Sequence, residues 1–114
     1  MRRINTPGDS MPTLIEICDT GAIKPHNAAC FLLPNGTEIL VAHTEHGFFA
    51  TDSICTHENS PLCNGAVKNG TISCPLHGSR FDLKTGQALE EPAQHALKVY
   101  PLEIRDGKVH VAIG

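Results

Sequence analysis

Apolar residues occur along this chain in short runs, some alternating with polar residues and some unbroken, and each run stops at a turn-forming residue. The runs cover residues 13–18, 28–33, 38–43, 47–51, 71–74, 80–83, 98–104 and 108–113. Period-two alternation over such lengths signals β-strands. Asn35-Gly36, Asn69-Gly70 and Asp106-Gly107 predict tight hairpins between them, because both central residues of a type I′ turn need positive φ. His46-Gly47 gives a weaker signal of the same kind. No window repeats apolar residues at i, i+3, i+4 and i+7 for long enough to make a substantial helix. The pattern therefore predicts an all-β chain of antiparallel strands forming a small sandwich or barrel.

One stretch departs from this spacing. Residues 53–70 are poor in strand pattern and rich in Pro, Asn, Ser and Gly, and they carry Cys55, His57 and Cys63. Cys74 and His77 follow closely. The region predicts a metal-binding insertion, about residues 53–80, rising from the β scaffold. Residues 12–114 form a single domain in this reading, preceded by a flexible extension over 1–11.

The chain has 114 residues, of which 40% are hydrophobic, 18% charged and 4% aromatic. Those values are ordinary for one globular domain and exclude disorder and low complexity. A net charge of −3 without clustered Lys and Arg argues against nucleic acid and anionic membrane surfaces as partners. The longest apolar run, six residues at 28–33, is far too short to span a bilayer. Arg2-Arg3 invites an export reading, but residues 5–11 supply no apolar stretch behind it, so the expectation is a cytoplasmic protein. Five cysteines, an odd number in a reducing compartment, predict no disulfide framework.

The candidate chemistry lies in Cys55-Thr56-His57 and, after sixteen intervening residues, Cys74-Pro75-Leu76-His77. Each loop supplies one thiolate and one imidazole, and two loops make four ligands. Tetrahedral zinc also takes two Cys and two His, but its motifs usually pair like with like, as in C-x2–4-C followed by H-x3–5-H. Mixed loops suit a two-iron centre, with the sulfurs on one iron and the nitrogens on the other.

With these loops the chain resembles the Rieske [2Fe–2S] proteins, whose two cluster loops look like C-T-H and C-P-L-H-G-S. Ser60-Pro61-Leu62, Gly65, Phe81-Asp82, Thr85-Gly86, residues 97–101 and the Asp106-Gly107 hairpin are similar to Rieske-type ferredoxins that serve bacterial ring-hydroxylating dioxygenases. The resemblance runs from residue 12 to the C-terminus. It implies the Rieske fold, an antiparallel β-sandwich or barrel base with a smaller cluster-binding subdomain carrying two ligand loops. It also implies one [2Fe–2S] cluster per chain, with Cys55 and Cys74 on the inner iron and His57 and His77 on the outer one. The implied role is a monomeric one-electron carrier with no catalytic site of its own. Its partners would be an NAD(P)H-dependent flavin reductase and a terminal Rieske oxygenase in aromatic-compound degradation.

Two Fe³⁺, two sulfides and two thiolates sum to zero when both imidazoles are neutral, whereas a four-cysteine cluster carries −2. An electron enters the neutral centre more readily, so His ligation raises the potential. High-potential relatives in cytochrome bc complexes add a disulfide between the loops, at positions held here by Ser60 and Leu76. They also place Ser and Tyr hydroxyls near the cluster sulfurs. Ser79 matches that Ser, but Phe81 replaces the Tyr. The expectation is a potential at the low end of the Rieske range, ~−150 mV.

Cys18 and Cys30 read as small buried hydrophobes with inert thiols, and Cys63 as a spare loop cysteine. His26, His43, His46, His95 and His110 have no cysteine at ligand spacing and read as surface or strand residues. Glu90-Glu91 reads as a solvated face, and Pro92 as part of a third loop that shields the cluster. Pro61, Leu62, Pro75 and Leu76 are expected to form an apolar collar around the exposed His edges, where an electron-transfer partner would dock. Two other functions fit the same residues. One is the small Rieske-like subunit of an assimilatory nitrite reductase, many of which lack the ligands; the other is a zinc-stabilised binding module without a redox role.

Overall fold

A computed structural model describes residues 13–56, 61–75, 78–89 and 95–113. The chain runs through β1 (Thr13–Asp19), a 3-10 turn (Thr20–Ala22), β2 (Asn27–Leu32), β3 (Glu38–Thr44), β4 (Gly47–Asp52), β5 (Val67–Lys68) and β6 (Thr71–Ser73). It continues through β7 (Arg80–Asp82), β8 (Val99–Tyr100), β9 (Leu102–Arg105) and β10 (Lys108–Ile113). The all-β expectation is met. Among the described residues the strands make three antiparallel sheets, ordered β1-β10-β9, β2-β3-β4-β8 and β5-β6-β7. The expected extension at 1–11 lies outside the described residues.

β3 explains how the sheets stack. Ile39, Leu40, Val41 and Ala42 are all 0% exposed, yet successive side chains of a strand point to opposite faces. Ile39 and Val41 pack with Ala50 and with Val109 and Val111 of β10. Leu40 and Ala42 pack on the other side with Val67, Ile72 and Phe81 of the small sheet. A strand covered on both faces has no polar alternation to show, which is why this run reads as unbroken. Neighbouring strands keep the same alternation: Ala29, Phe31 and Phe48 join the first core, and Ala28, Cys30 and Phe49 join the second. The central four-stranded sheet is thus shared by two cores, and the subdomain bearing the candidate site rests on the second.

The structure corrects four sequence expectations. The 98–104 run is two strands, because Pro101 has no N–H to donate to a ladder. The chain changes sheet there, with β8 pairing to β4 and β9 to β10. Asn69-Gly70 (φ 53° and 74°) and Asp106-Gly107 (φ 52° and 73°) have the expected double positive φ, but at Asn35-Gly36 only Gly36 does, at 90°. That turn is held instead by Asn35 Oδ1 accepting the Thr37 N–H at 2.9 Å and by the Leu33 carbonyl accepting the Gly36 N–H at 2.9 Å. β5 carries too few residues to announce itself by periodicity.

The fourth correction concerns cysteine. Cys30 and Cys63 form a disulfide, with Cα atoms 5.6 Å apart and a sequence separation of 33. Alternation along β2 places Cys30 on the face of the second core, where the small subdomain sits, and the turn after Leu62 brings Cys63 to it. Cys30 is therefore not an inert thiol, and Cys63 is not spare. Cys18 is half-buried rather than buried: it packs against the first core, and burial together with the Asp19 carboxylate pushes its thiol pKa up, which suppresses the reactive thiolate.

Candidate metal centre

Each candidate ligand loop is closed at its mouth by the backbone. In the first, the Leu62 N–H donates to the Ser53 carbonyl at 2.7 Å, Ile54 bridges Pro61, and the Gly65 N–H donates to the Leu62 carbonyl at 2.8 Å. Gly65 lies so close over β6 that a Cβ there would overlap the Ser73 carbonyl oxygen. In the second, the Cys74 N–H donates to the Ser79 carbonyl at 2.7 Å and the Gly78 N–H to the Cys74 carbonyl at 3.0 Å. Cys55 and Cys74 sit just inside these two closures. Their side chains are 0% and 2% exposed, in one apolar cluster with Leu62, Ile72 and Phe81.

Two buried thiols in one apolar cluster form a soft donor set of the kind iron–sulfur and zinc centres use. Burial of a bare thiolate would be costly, and a bound cation offsets that cost. The donor chemistry of the described pair thus fits an iron–sulfur centre. His57 and His77, the other two expected ligands, lie outside the described residues, as do Ser60, Leu76, Glu90, Glu91 and Pro92. Ser79 is buried at 0% exposure, and so is Phe81, which pairs with Ile72 and bridges Ala88.

A third segment is fastened to the first loop. Thr56 Oγ1, from the residue between two expected ligands, donates to the His95 carbonyl at 2.7 Å. The Leu97 N–H donates to the Gly86 carbonyl at 2.7 Å. Gly86 has φ 80°, and a Cβ there would overlap the Leu97 carbonyl oxygen. Sequence reasoning noted Gly86 only through resemblance and missed the Thr56 tether. Its one available signal was a hydroxyl placed inside C-x-H.

The apolar collar is only partly as expected. Pro61 and Pro75 are exposed, but Leu62 is 0% exposed and belongs to the core, because the bond that closes the loop draws it inward. Ile54 and Leu89, 37% and 42% exposed, are apolar surface that the sequence reading did not single out. Below the first loop, the Tyr100 hydroxyl donates to Asp52 Oδ1 at 2.6 Å and the Asp52 N–H to the Lys98 carbonyl at 2.9 Å, locking β8 to the end of β4. Burial, followed by the Asp52 hydrogen bond and charge, holds the Tyr100 hydroxyl well above its ordinary pKa. Among the other histidines, His43 is a strand residue whose Nδ1 lies 2.7 Å from the Ile23 carbonyl and whose ring stacks on Phe48.

The chain belongs to the family of Rieske-like [2Fe–2S] domains, which it matches over residues 13–112. It is similar to the 3-phenylpropionate/cinnamic acid dioxygenase ferredoxin subunit of Photorhabdus laumondii, 39% identical over 77 residues, which cover 67% of this chain and 73% of that one. A ferredoxin of Sphingomonas yanoikuyae B1 has a similar structure, with TM-score 0.84 and 30% identity over 90% of this chain and all of the other. So does a chain in the complex of reduced oxygenase and oxidised ferredoxin in carbazole 1,9a-dioxygenase, with TM-score 0.82 and 27% identity over 87% and 92% of the two chains. A chain described as an NADH-dependent nitrite reductase small subunit from Mycobacterium tuberculosis shares the fold alone, with TM-score 0.83 at 19% identity over 92% and 98% of the two chains. The cofactor of this chain is accordingly a Rieske-type [2Fe–2S] cluster, and the zinc-module reading finds no support in these relatives.

Proposed function

We propose that this chain is a one-electron carrier taking electrons from an NAD(P)H-dependent flavin reductase to a terminal ring-hydroxylating oxygenase in aromatic-compound degradation. It acts as a cytoplasmic monomer that transforms no substrate itself, with one cluster held by Cys55, His57, Cys74 and His77. The observation that carries this reading is that two backbone-closed loops each place a cysteine, Cys55 and Cys74, in the same buried cluster. A histidine follows two residues after the first cysteine and three after the second.

When bound, the cluster supplies reversible one-electron chemistry. The chain supplies the rest. Loop closures fix the ligand positions, so that gaining or losing an electron demands little rearrangement. The apolar cluster around Cys55 and Cys74 keeps water from the thiolate side, which strengthens every local electrostatic interaction. Ile54, Pro61, Pro75 and Leu89 leave exposed apolar surface on and next to the loops, suited to a brief contact with a partner. Relatives that are ferredoxin components of dioxygenase systems support the oxygenase as acceptor; the nitrite reductase reading has only the fold behind it.

The test is anaerobic stopped-flow mixing of the dithionite-reduced protein, freed of excess reductant, with oxidised Rieske terminal oxygenases. Reoxidation of the carrier with matching reduction of an oxygenase is the expected result. Transfer to none of a panel of oxygenases, together with transfer to a sirohaem nitrite reductase, would overturn it.

A further inference from the structure

We propose that the Cys30–Cys63 bond is a second redox site, a reversible thiol/disulfide clasp between the central sheet and the first ligand loop. Cys30 lies on β2, an outer strand of that sheet, facing the second core. Cys63 directly follows Leu62, whose amide closes the loop carrying Cys55. The clasp therefore joins the base of a ligand loop to a strand 33 residues earlier, at a Cα separation of 5.6 Å that a disulfide closes without moving the backbone.

Three features make this bond a switch rather than a staple on which the fold depends. Both cysteines are only partly buried, unlike Cys55 and Cys74, so the bond lies nearer to solvent than the candidate ligands do. The second core holds Leu40, Leu62, Ile72 and Phe81 by packing that does not use the bond. The loop also has backbone closures of its own beside the sulfur bond, Leu62 to Ser53 and Gly65 to Leu62. Opening the clasp thus loosens one loop base without unfolding the domain.

The chemistry is thiol–disulfide exchange. One thiolate of a dithiol attacks a sulfur of the pair, the Cys30–Cys63 bond breaks, and a mixed disulfide forms. The second thiol of the dithiol then displaces the cysteine sulfur and leaves joined to the first. Two electrons and two protons pass from the dithiol to the cysteine pair. A disulfide oxidant such as oxidised glutathione reverses the exchange. The couple is distinct from the cluster in taking two electrons rather than one. Its consequence for the cluster rests on the reading of Cys55 as a ligand: the closed clasp holds that loop and slows loss of iron.

The test uses the holoprotein purified without reductant. It is equilibrated in dithiothreitol redox buffers, alkylated under denaturing conditions and analysed by peptide mass spectrometry. Cys30 and Cys63 are expected to be protected together when oxidised and to become alkylated together along a two-electron curve. In parallel, bleaching of the visible absorbance by a chelator is expected to be roughly tenfold faster in the reduced protein and in Cys63→Ser, since a cross-link over a loop this long constrains opening by at least that factor. Cys18→Ser serves as the control and is expected to bleach like the oxidised parent. Free Cys30 and Cys63 thiols in the unreduced holoprotein would overturn the proposal, as would a bond that dithiothreitol leaves intact. Two-electron titration with equal bleaching in both states would keep the thiol couple and remove its control of the loop. The alkylation pattern does not depend on the cluster, so failure of the cluster reading would be told apart from failure of the clasp.

Discussion

Leu62→Ala separates a buried loop residue from an exposed collar residue. The substitution removes three carbons from a side chain that is 0% exposed and packed in the cluster containing Cys55 and Cys74. At ~0.8 kcal/mol for each buried carbon group, the lost transfer energy is about 2.4 kcal/mol. A cavity adds to this wherever neighbours cannot collapse. Val67, Ile72 and Phe81 belong to paired strands, so collapse is limited and the total is roughly 3–5 kcal/mol. Against a domain stability of about 5–15 kcal/mol that is a large share. The assay is anaerobic urea unfolding of the holoprotein followed by far-UV circular dichroism. Its midpoint is expected to fall by roughly 2–3 M at unchanged slope, for a slope near ~1.5 kcal/mol/M. Cluster binding stabilises both proteins and largely cancels in the difference. Leu32→Ala is the control, because Leu32 is 74% exposed and its loss is expected to stay within about 0.5 kcal/mol. If Leu62→Ala behaved like that control, Leu62 would be surface, and the account of how the first loop is anchored would fail.

Phe81→Tyr puts a hydroxyl into the fully buried cluster around Cys55 and Cys74. If it donates to a cluster sulfur, the bond strengthens on reduction by about 1 kcal/mol and the potential rises by roughly 40 mV; an unchanged potential with a lower unfolding midpoint would show the hydroxyl buried unpaired. Gly86→Ala combines φ 80° with an overlap on the Leu97 carbonyl oxygen, whereas Gly36→Ala, at φ 90°, meets open space. Thermal melts should show a modest loss of about 1 kcal/mol at Gly36 and a loss several times larger at Gly86; equal losses would mean the 95–97 segment is not packed on Gly86. Tyr100 titrates above its ordinary value of 10.0 in the folded state, so its contribution to stability is full below that pH and declines as pH rises beyond it. Urea midpoints measured across this alkaline range should fall less steeply in Tyr100→Phe than in the parent, and parallel slopes would contradict the raised Tyr100 pKa that burial, with the Asp52 hydrogen bond and charge, produces.

Strand placement was legible because most strands carry a local pattern. β3 was legible as a strand, but only its four consecutive buried residues, seen between two cores, explain the lack of alternation. The Pro101 break could have been read from the missing N–H alone. The turn at Asn35 could not, since Asn also serves as a side-chain acceptor in a turn where its own φ stays negative. Cys55 and Cys74 were legible as candidates because metal ligands carried on loops come in short, mixed motifs, and both cysteines are buried in one core cluster. The Cys30–Cys63 pairing was hidden, because it depends on which face of β2 meets a distant turn, and connectivity of that kind is not written in local spacing. Leu62 was misjudged for a related reason: its neighbours in the loop are exposed, and only the closing bond to Ser53 turns it into the core.

The central claim is a His2Cys2 [2Fe–2S] cluster on the two loops, and electron paramagnetic resonance of the purified, dithionite-reduced protein tests it most directly. The account predicts a rhombic signal whose average g lies below that of four-cysteine clusters, because nitrogen ligands on one iron localise the added electron there. A four-cysteine-type signal would contradict His57 and His77 as ligands. A colourless, silent protein holding stoichiometric zinc would contradict the electron-carrier account altogether.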